Sequence, residues 1–172
     1  MKKASAAGRR SKKAAKPPPI VLIVEDAHWR NAMPDARLMR RAVRLALDGS
    51  PHAPTILLTS SARLRALNAA FRGKDKATNV LSFASATTDP SSLGDIAMAY
   101  GVVRREAREQ RKNFADHAAH LALHGTLHLL GWDHENAKDA RNMEALEIEL
   151  LASLGIADPY RIRPYTQRRK AS

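Results

Sequence analysis

His124-Gly125-Thr126-Leu127-His128-Leu129-Leu130-Gly131-Trp132-Asp133-His134 is the stretch on which the reading of this chain turns. The spacing predicts a helix carrying His124 and His128, because residues four apart share one helical face. Gly131, three residues past the second histidine, supplies the turn that swings a third imidazole back, since glycine readily ends a helix in the left-handed conformation. Three neutral nitrogen ligands leave the fourth tetrahedral position of a zinc ion open, which is the arrangement of a catalytic site. A closed structural site takes four protein ligands, usually with cysteine, and the chain has no cysteine. His124, His128 and His134 are therefore the expected ligands of one zinc ion.

The ligand spacing is also that of the metzincin peptidases, H-E-x-x-H-x-x-G-x-x-H. Those enzymes use the glutamate after the first histidine as general base. Here that position is Gly125, so the peptidase reading is weakened while metal binding is not. His120 shares the helical stripe of His124 and His128. Three ligands along one straight helix would span about 12 Å of rise, too far to converge on one ion. His120 is thus expected in the core or in contact with the ligands from behind, and His117 is expected in solvent.

Outward from the motif, Ala115 to Leu130 reads as the metal-bearing helix, and Asp139 to Leu154 as a last helix with Met143, Leu146, Leu150, Leu151 and Leu154 inward. Upstream, Ile20 to Val24, Thr55 to Thr59, Val80 to Phe83 and Gly94 to Tyr100 read as four strands. A helix with Pro34 in its first turn and an apolar stripe through Leu38, Val43, Leu45, Ala46 and Leu47 ends at Asp48-Gly49-Ser50-Pro51. Another, capped by Ser60 or Ser61, carries Leu64, Leu67 and Phe71, and Val102 to Arg111 reads as a charged amphipathic helix. The expected fold class is α+β, a mixed α/β layer with about four strands covered by several helices. Arg72 to Lys76 sets three basic residues around a glycine and an aspartate, a second candidate site.

The chain has 172 residues, enough for one domain with a sizeable core. Three regions are expected: a basic arm and proline spacer over 1–19, a single metal-binding domain over 20–160, and a basic tail over 161–172. The net charge of +12 is concentrated at the ends: residues 1–16 carry seven Lys or Arg and residues 161–172 five, neither with an acid. The remaining 17 basic residues balance 17 acids, yet 30–76 holds ten basic and three acidic side chains against two and seven in 133–158. A basic lobe of this kind could guide a polyanion. The N-terminal arm reads as a solubilising extension or a nonspecific RNA-binding segment, with a mitochondrial leader a third option. No apolar run approaches a membrane span, so a cytoplasmic protein without a membrane partner is expected.

The residues quoted above resemble the YbeY family of ribosomal RNA maturation endoribonucleases, whose signature H-G-x-L-H-L-x-G-Y-D-H is matched from His124 to His134 except for Trp132. The similarity extends over Leu67 to Phe83, Leu93 to Ile96, and Met143 to Glu147 through Tyr160. It implies a small mixed fold, zinc on His124, His128 and His134, and cleavage of single-stranded RNA in ribosomal RNA processing, including small-subunit 3′ end maturation, and ribosome quality control. The implied partners are precursor ribosomal RNA and the small subunit. Arg72 matches the family's functional arginine, with an ion pair to Asp75 as the alternative role, and Lys74 and Lys76 are expected to position phosphates. Ala84 stands where the family often has proline. Asp133 either orients a ligand imidazole or caps a turn. Competing readings are a zinc metallopeptidase-like hydrolase and a noncatalytic ribosome-assembly factor with a structural metal.

Overall fold

The structure is a computed structural model that describes residues 18–85, 89 and 91–161. Most of the arm read over 1–19 and all but the first residue of the tail read over 161–172 lie outside the described residues. Elements follow in the order β1 (Val21–Val24), α1 (His28–Ala32), α2 (Arg37–Leu47), β2 (Ala53–Thr59), α3 (Ser61–Arg72), β3 (Val80–Ala84), β4 (Ser92–Ala99), α4 (Tyr100–Glu109), α5 (Phe114–Leu129) and α6 (Ala137–Ala152). The fold class is α+β, as expected, with four strands in the order β1-β2-β4-β3. β1, β2 and β4 run parallel, and β3 pairs antiparallel to β4 along the other edge.

Strand alternation divides the sheet into two apolar faces. Ile56, Leu58, Ile96 and Met98 point toward α2 and α5, where they meet Met39, Val43, Leu121 and Ala122. Leu81, Ala97 and Ala99 point the other way, onto Leu64 of α3 and Val102 of α4. α5 is enclosed, because its far side packs through Ala119, Leu123 and Leu127 onto Ala42 and Ala46 of α2 and onto Met143 and Leu151 of α6. Burial on nearly every side explains why small residues recur along it: Ala118, Ala119, Ala122 and Gly125 let neighbouring elements approach closely.

Element edges differ from the sequence reading in instructive ways. Pro34 precedes α2 instead of entering it, and the short α1 is an unanticipated turn whose Trp29 is fully buried and donates its indole N–H to the carbonyl of Thr59 at 3.1 Å. Tyr100 opens α4 instead of ending a strand. Phe71, seven residues along α3 from the fully buried Leu64, is 69% exposed. No helix among the described residues is long and apolar enough to cross a membrane.

Candidate metal centre

α5 begins at Asn113, whose side chain accepts from the backbone N–H groups of Ala115 and Asp116, and it ends at the expected glycine. Gly131 takes φ +90°; its N–H donates to the carbonyl of His128 and that of Trp132 to the carbonyl of Leu127, each at 3.0 Å. This double closure is the Schellman arrangement, and it reverses the chain so that His134 returns to the last turn of α5. The rings of His134 and His124 have centroids 5.6 Å apart, and those of His134 and His128 4.9 Å. One ligand nitrogen from each of His124, His128 and His134 lies within 4.8 Å of the others. The structure thus brings together all three histidines singled out by spacing.

The tautomers follow from the partners. His124 Nδ1 lies 2.7 Å from a carboxylate oxygen of Glu147, and His128 Nδ1 lies 3.0 Å from the carbonyl of Trp132. Both oxygens are acceptors, so both Nδ1 atoms carry the proton in the neutral rings. The two Nε2 atoms, 3.0 Å apart, then confront one another with lone pairs. Two facing lone pairs repel unless a proton or cation lies between them, and tetrahedral zinc at about 2.05 Å from each nitrogen would hold the pair about 3.3 Å apart. Burial first, and the charge of His124 next, hold His128 below the ordinary imidazole range, which favours the neutral ligand form. The donor set fits the metal that the spacing implies.

Behind these rings sits Glu147 of α6, fully buried. It accepts from His124 Nδ1 and from His120 Nε2, each at 2.7 Å, and from the Tyr160 hydroxyl. Burial alone would raise its carboxyl, but the bonds and charges of His120 and His124 hold it down at about 2. Tyr160 is pushed above its ordinary range by burial and by the carboxylate it bonds. His120, His124 and Glu147 also form a group whose ligand atoms could hold a cation. In that group the atoms are already joined by hydrogen bonds that account for their positions, whereas the Nε2 pair has no such account. His120 is the buried contact behind the ligands that its stripe implied.

His117 corrects the sequence reading: it is 4% exposed, with Nε2 bonded at 2.9 Å to Glu106. α4 covers that side of α5, so no face is left for solvent. Glu147 was missed as a site residue, although the sequence holds a signal for it. It falls on the same stripe as Met143, Leu150, Leu151 and Leu154, and a carboxylate on an apolar helix face needs buried partners. Asp133 caps its own turn, accepting from the backbone N–H of His134 at 2.6 Å.

The second candidate region follows α3, whose end is closed by Gly73 at φ +65°. Buried Asn68 shapes the loop, donating its side-chain amide to the carbonyl of Lys76 at 2.8 Å and accepting at its own carbonyl from Lys74 N–H at 3.2 Å. Asp75 pairs with Arg65, through contacts of 2.6 and 2.7 Å, and not with Arg72. Arg72 instead reaches the carbonyl of Ser82 in a long contact of 3.4 Å. The Ser82 hydroxyl donates to the carbonyl of Gly125 at 3.1 Å, so one residue of β3 touches both Arg72 and the metal-bearing helix. Lys74 and Lys76 are exposed on the same loop.

Residues 35–155 match the profile of the family described as endoribonuclease YbeY. The chain belongs to the YbeY family. An endoribonuclease YbeY of Bradyrhizobium diazoefficiens is 46% identical over 158 residues, covering 84% of this chain and 86% of the relative. That of Bordetella pertussis is 51% identical over 140 residues, 73% of this chain and 89% of its own. A solution structure of a Thermotoga maritima protein shares the fold, with a TM-score of 0.53 at 22% identity over 83% of this chain and 99% of its own. In this YbeY chain the glycine that displaces a peptidase's glutamate has a packing reason. A Cβ at Gly125 would lie 3.0 Å from Ser82 Oγ and 3.2 Å from Ile96 Cγ2. That side of α5 is pressed against the sheet.

Proposed function

We propose that this chain is a zinc-dependent endoribonuclease that cleaves single-stranded segments of precursor ribosomal RNA. On this reading it acts in the cytoplasm on the small subunit, in 3′ end maturation and in ribosome quality control. The observation that carries the zinc is the pair of Nε2 lone pairs facing each other at 3.0 Å. Family membership supports the RNA-cleaving reaction. His124, His128 and His134 hold the ion, with Glu147 and the Trp132 carbonyl fixing two of the rings. When bound, zinc supplies Lewis acidity to water and to phosphoryl oxygens.

The remaining work falls to the chain's own side chains. Hydrolysis adds water across a P–O bond, and negative charge builds on the phosphoryl oxygens as it proceeds. Arg72 donates paired N–H groups to those oxygens and offsets that charge. Lys74 and Lys76 act as point charges on neighbouring phosphates, which positions a strand without reading its bases. The excess of basic over acidic residues across 30–76 steers a polyanion to this lobe. The peptidase alternative lacks a general base, since Gly125 has neither a side chain nor room for one.

The test is to incubate zinc-quantified wild type, His128→Ala and Arg72→Ala with precursor small-subunit RNA and map the new ends. Wild type should yield defined ends, His128→Ala should lose both zinc and cleavage, and Arg72→Ala should keep zinc while its rate falls roughly 100- to 1,000-fold, as for loss of one group stabilising the transition state. Identical products from all three would mean a contaminating nuclease. Intact RNA with tight ribosome binding by the zinc-loaded wild type would favour an assembly factor.

A further inference from the structure

Phe71 is the most exposed large apolar side chain among the described residues, at 69%. Its ring stands edge-on to that of Phe83, with centroids 5.2 Å apart and planes at 61°, a contact that orients the ring while leaving most of it uncovered. The next residue, Arg72, reaches the carbonyl of Ser82, next to Phe83. Two consecutive residues of α3 therefore meet two consecutive residues of β3, and Ser82 in turn touches Gly125 beside His124. The phenyl ring lies one residue out from the guanidinium along this line. Lys74 and Lys76 follow, and the acid between them, Asp75, is engaged by Arg65. A free aromatic face among cations is the pattern by which proteins hold single-stranded nucleic acid, with bases stacked on rings and phosphates on basic groups.

We propose that Phe71 is the stacking platform for an unpaired base of the strand whose phosphodiester lies against Arg72, an inference that rests on the endoribonuclease reading. A base within a duplex has both faces covered by its neighbours and has none to offer. Phe71 thereby selects unpaired RNA, and it does so without regard to sequence, because every base has a π-face. The surrounding positive charge favours this ligand over an apolar protein surface at the same spot.

The experiment measures binding of a labelled short single-stranded RNA to wild type, Phe71→Ala and Phe71→Tyr. It repeats the titration with the same RNA made abasic at one position at a time. Phe71→Ala should lose roughly 5- to 150-fold in affinity, the range for one stacked base, and Phe71→Tyr should recover most of it. Wild type should lose a similar factor at one abasic position, where Phe71→Ala loses nothing more. Zinc content and circular dichroism report whether Phe71→Ala keeps its fold; the abasic series on wild type and Phe71→Tyr stands without that variant. The proposal is overturned if Phe71→Ala binds as wild type does, or if both proteins lose the same factor at every abasic position, as expected if the ring serves a protein partner. Wild type that neither binds nor cleaves RNA would sink the endoribonuclease reading together with this one. Wild type that binds and cleaves beside an unaffected Phe71→Ala would sink only the stacking.

Discussion

Glu147 shows how one buried carboxylate can set the chemistry of three rings it does not share a helix with. By accepting from His124 Nδ1 it commits that ring to presenting Nε2, and by accepting from His120 and Tyr160 it keeps its own orientation. Glu147→Gln keeps the shape but loses the charge and one acceptor oxygen. Zinc affinity should fall about 10- to 100-fold, the usual effect of removing a group that orients a ligand, measured by competition with a chelating dye; an unchanged affinity would show that His124 is oriented by something else. Glu106 makes a second, independent case. Burial raises its carboxyl, but hydrogen bonds from His117 and Asn79 outweigh burial and leave it below the ordinary range. A carboxyl depressed in the folded state stabilises the fold above its unfolded value, and that stabilisation is lost as pH falls through the folded one. The urea midpoint of wild type should therefore decline below about pH 4.3 more steeply than that of Glu106→Gln, and parallel slopes would exclude Glu106 as a source of acid sensitivity.

At the scale of elements, α5 decides most of the architecture, and Gly125 decides how closely α5 meets the sheet. Gly125→Ala would gain up to about 1 kcal/mol of helix propensity. Against this, Ile96 is fully buried and would have to move from a contact of 3.2 Å; overpacking of this kind costs about 1–3 kcal/mol. We expect a net loss of up to about 2 kcal/mol in urea unfolding, and Gly125→Glu should fail to fold instead of acquiring casein cleavage. A folded, proteolytic Gly125→Glu would show that the sheet can make room for a side chain at this position. The same packing explains what the sequence could and could not convey. Short apolar runs such as Thr55 to Thr59 and the i, i+4, i+10 histidine spacing are local patterns; the run lies within β2 and the three histidines converge. Burial of His117 depends on α4 lying across it, a contact no local pattern encodes. Exposure of Phe71 is equally illegible, because its position on the α3 stripe says nothing about where the sheet beneath it ends. Tyr100, read as the end of the fourth strand, opens α4 instead, and its ring stacks on His28 with centroids 5.2 Å apart.

For the whole molecule, the candidate ligands join parts of the fold that otherwise meet through few bonds. His124 and His128 sit in the last turns of the enclosed helix, while His134 belongs to an exposed turn leading into α6. A cation held by all three cross-links that turn to the core, and it does so only in the folded chain, because the unfolded one has no preformed site. Binding to the folded state alone stabilises by about 2.7 kcal/mol when free ligand is one hundred times its dissociation constant. For a chain of this size each kcal/mol moves the melting temperature by about 2–4 °C, so saturating zinc should raise it by about 5–11 °C. His128→Ala removes one nitrogen and the facing lone pair, and its melting temperature should not respond to zinc. Magnesium, a hard cation that prefers oxygen ligands, should leave both proteins unmoved. Scanning calorimetry of chelator-stripped protein with each ion decides the matter. An equal rise in wild type and His128→Ala would put the cation elsewhere, with the His120, His124 and Glu147 group the first place to look.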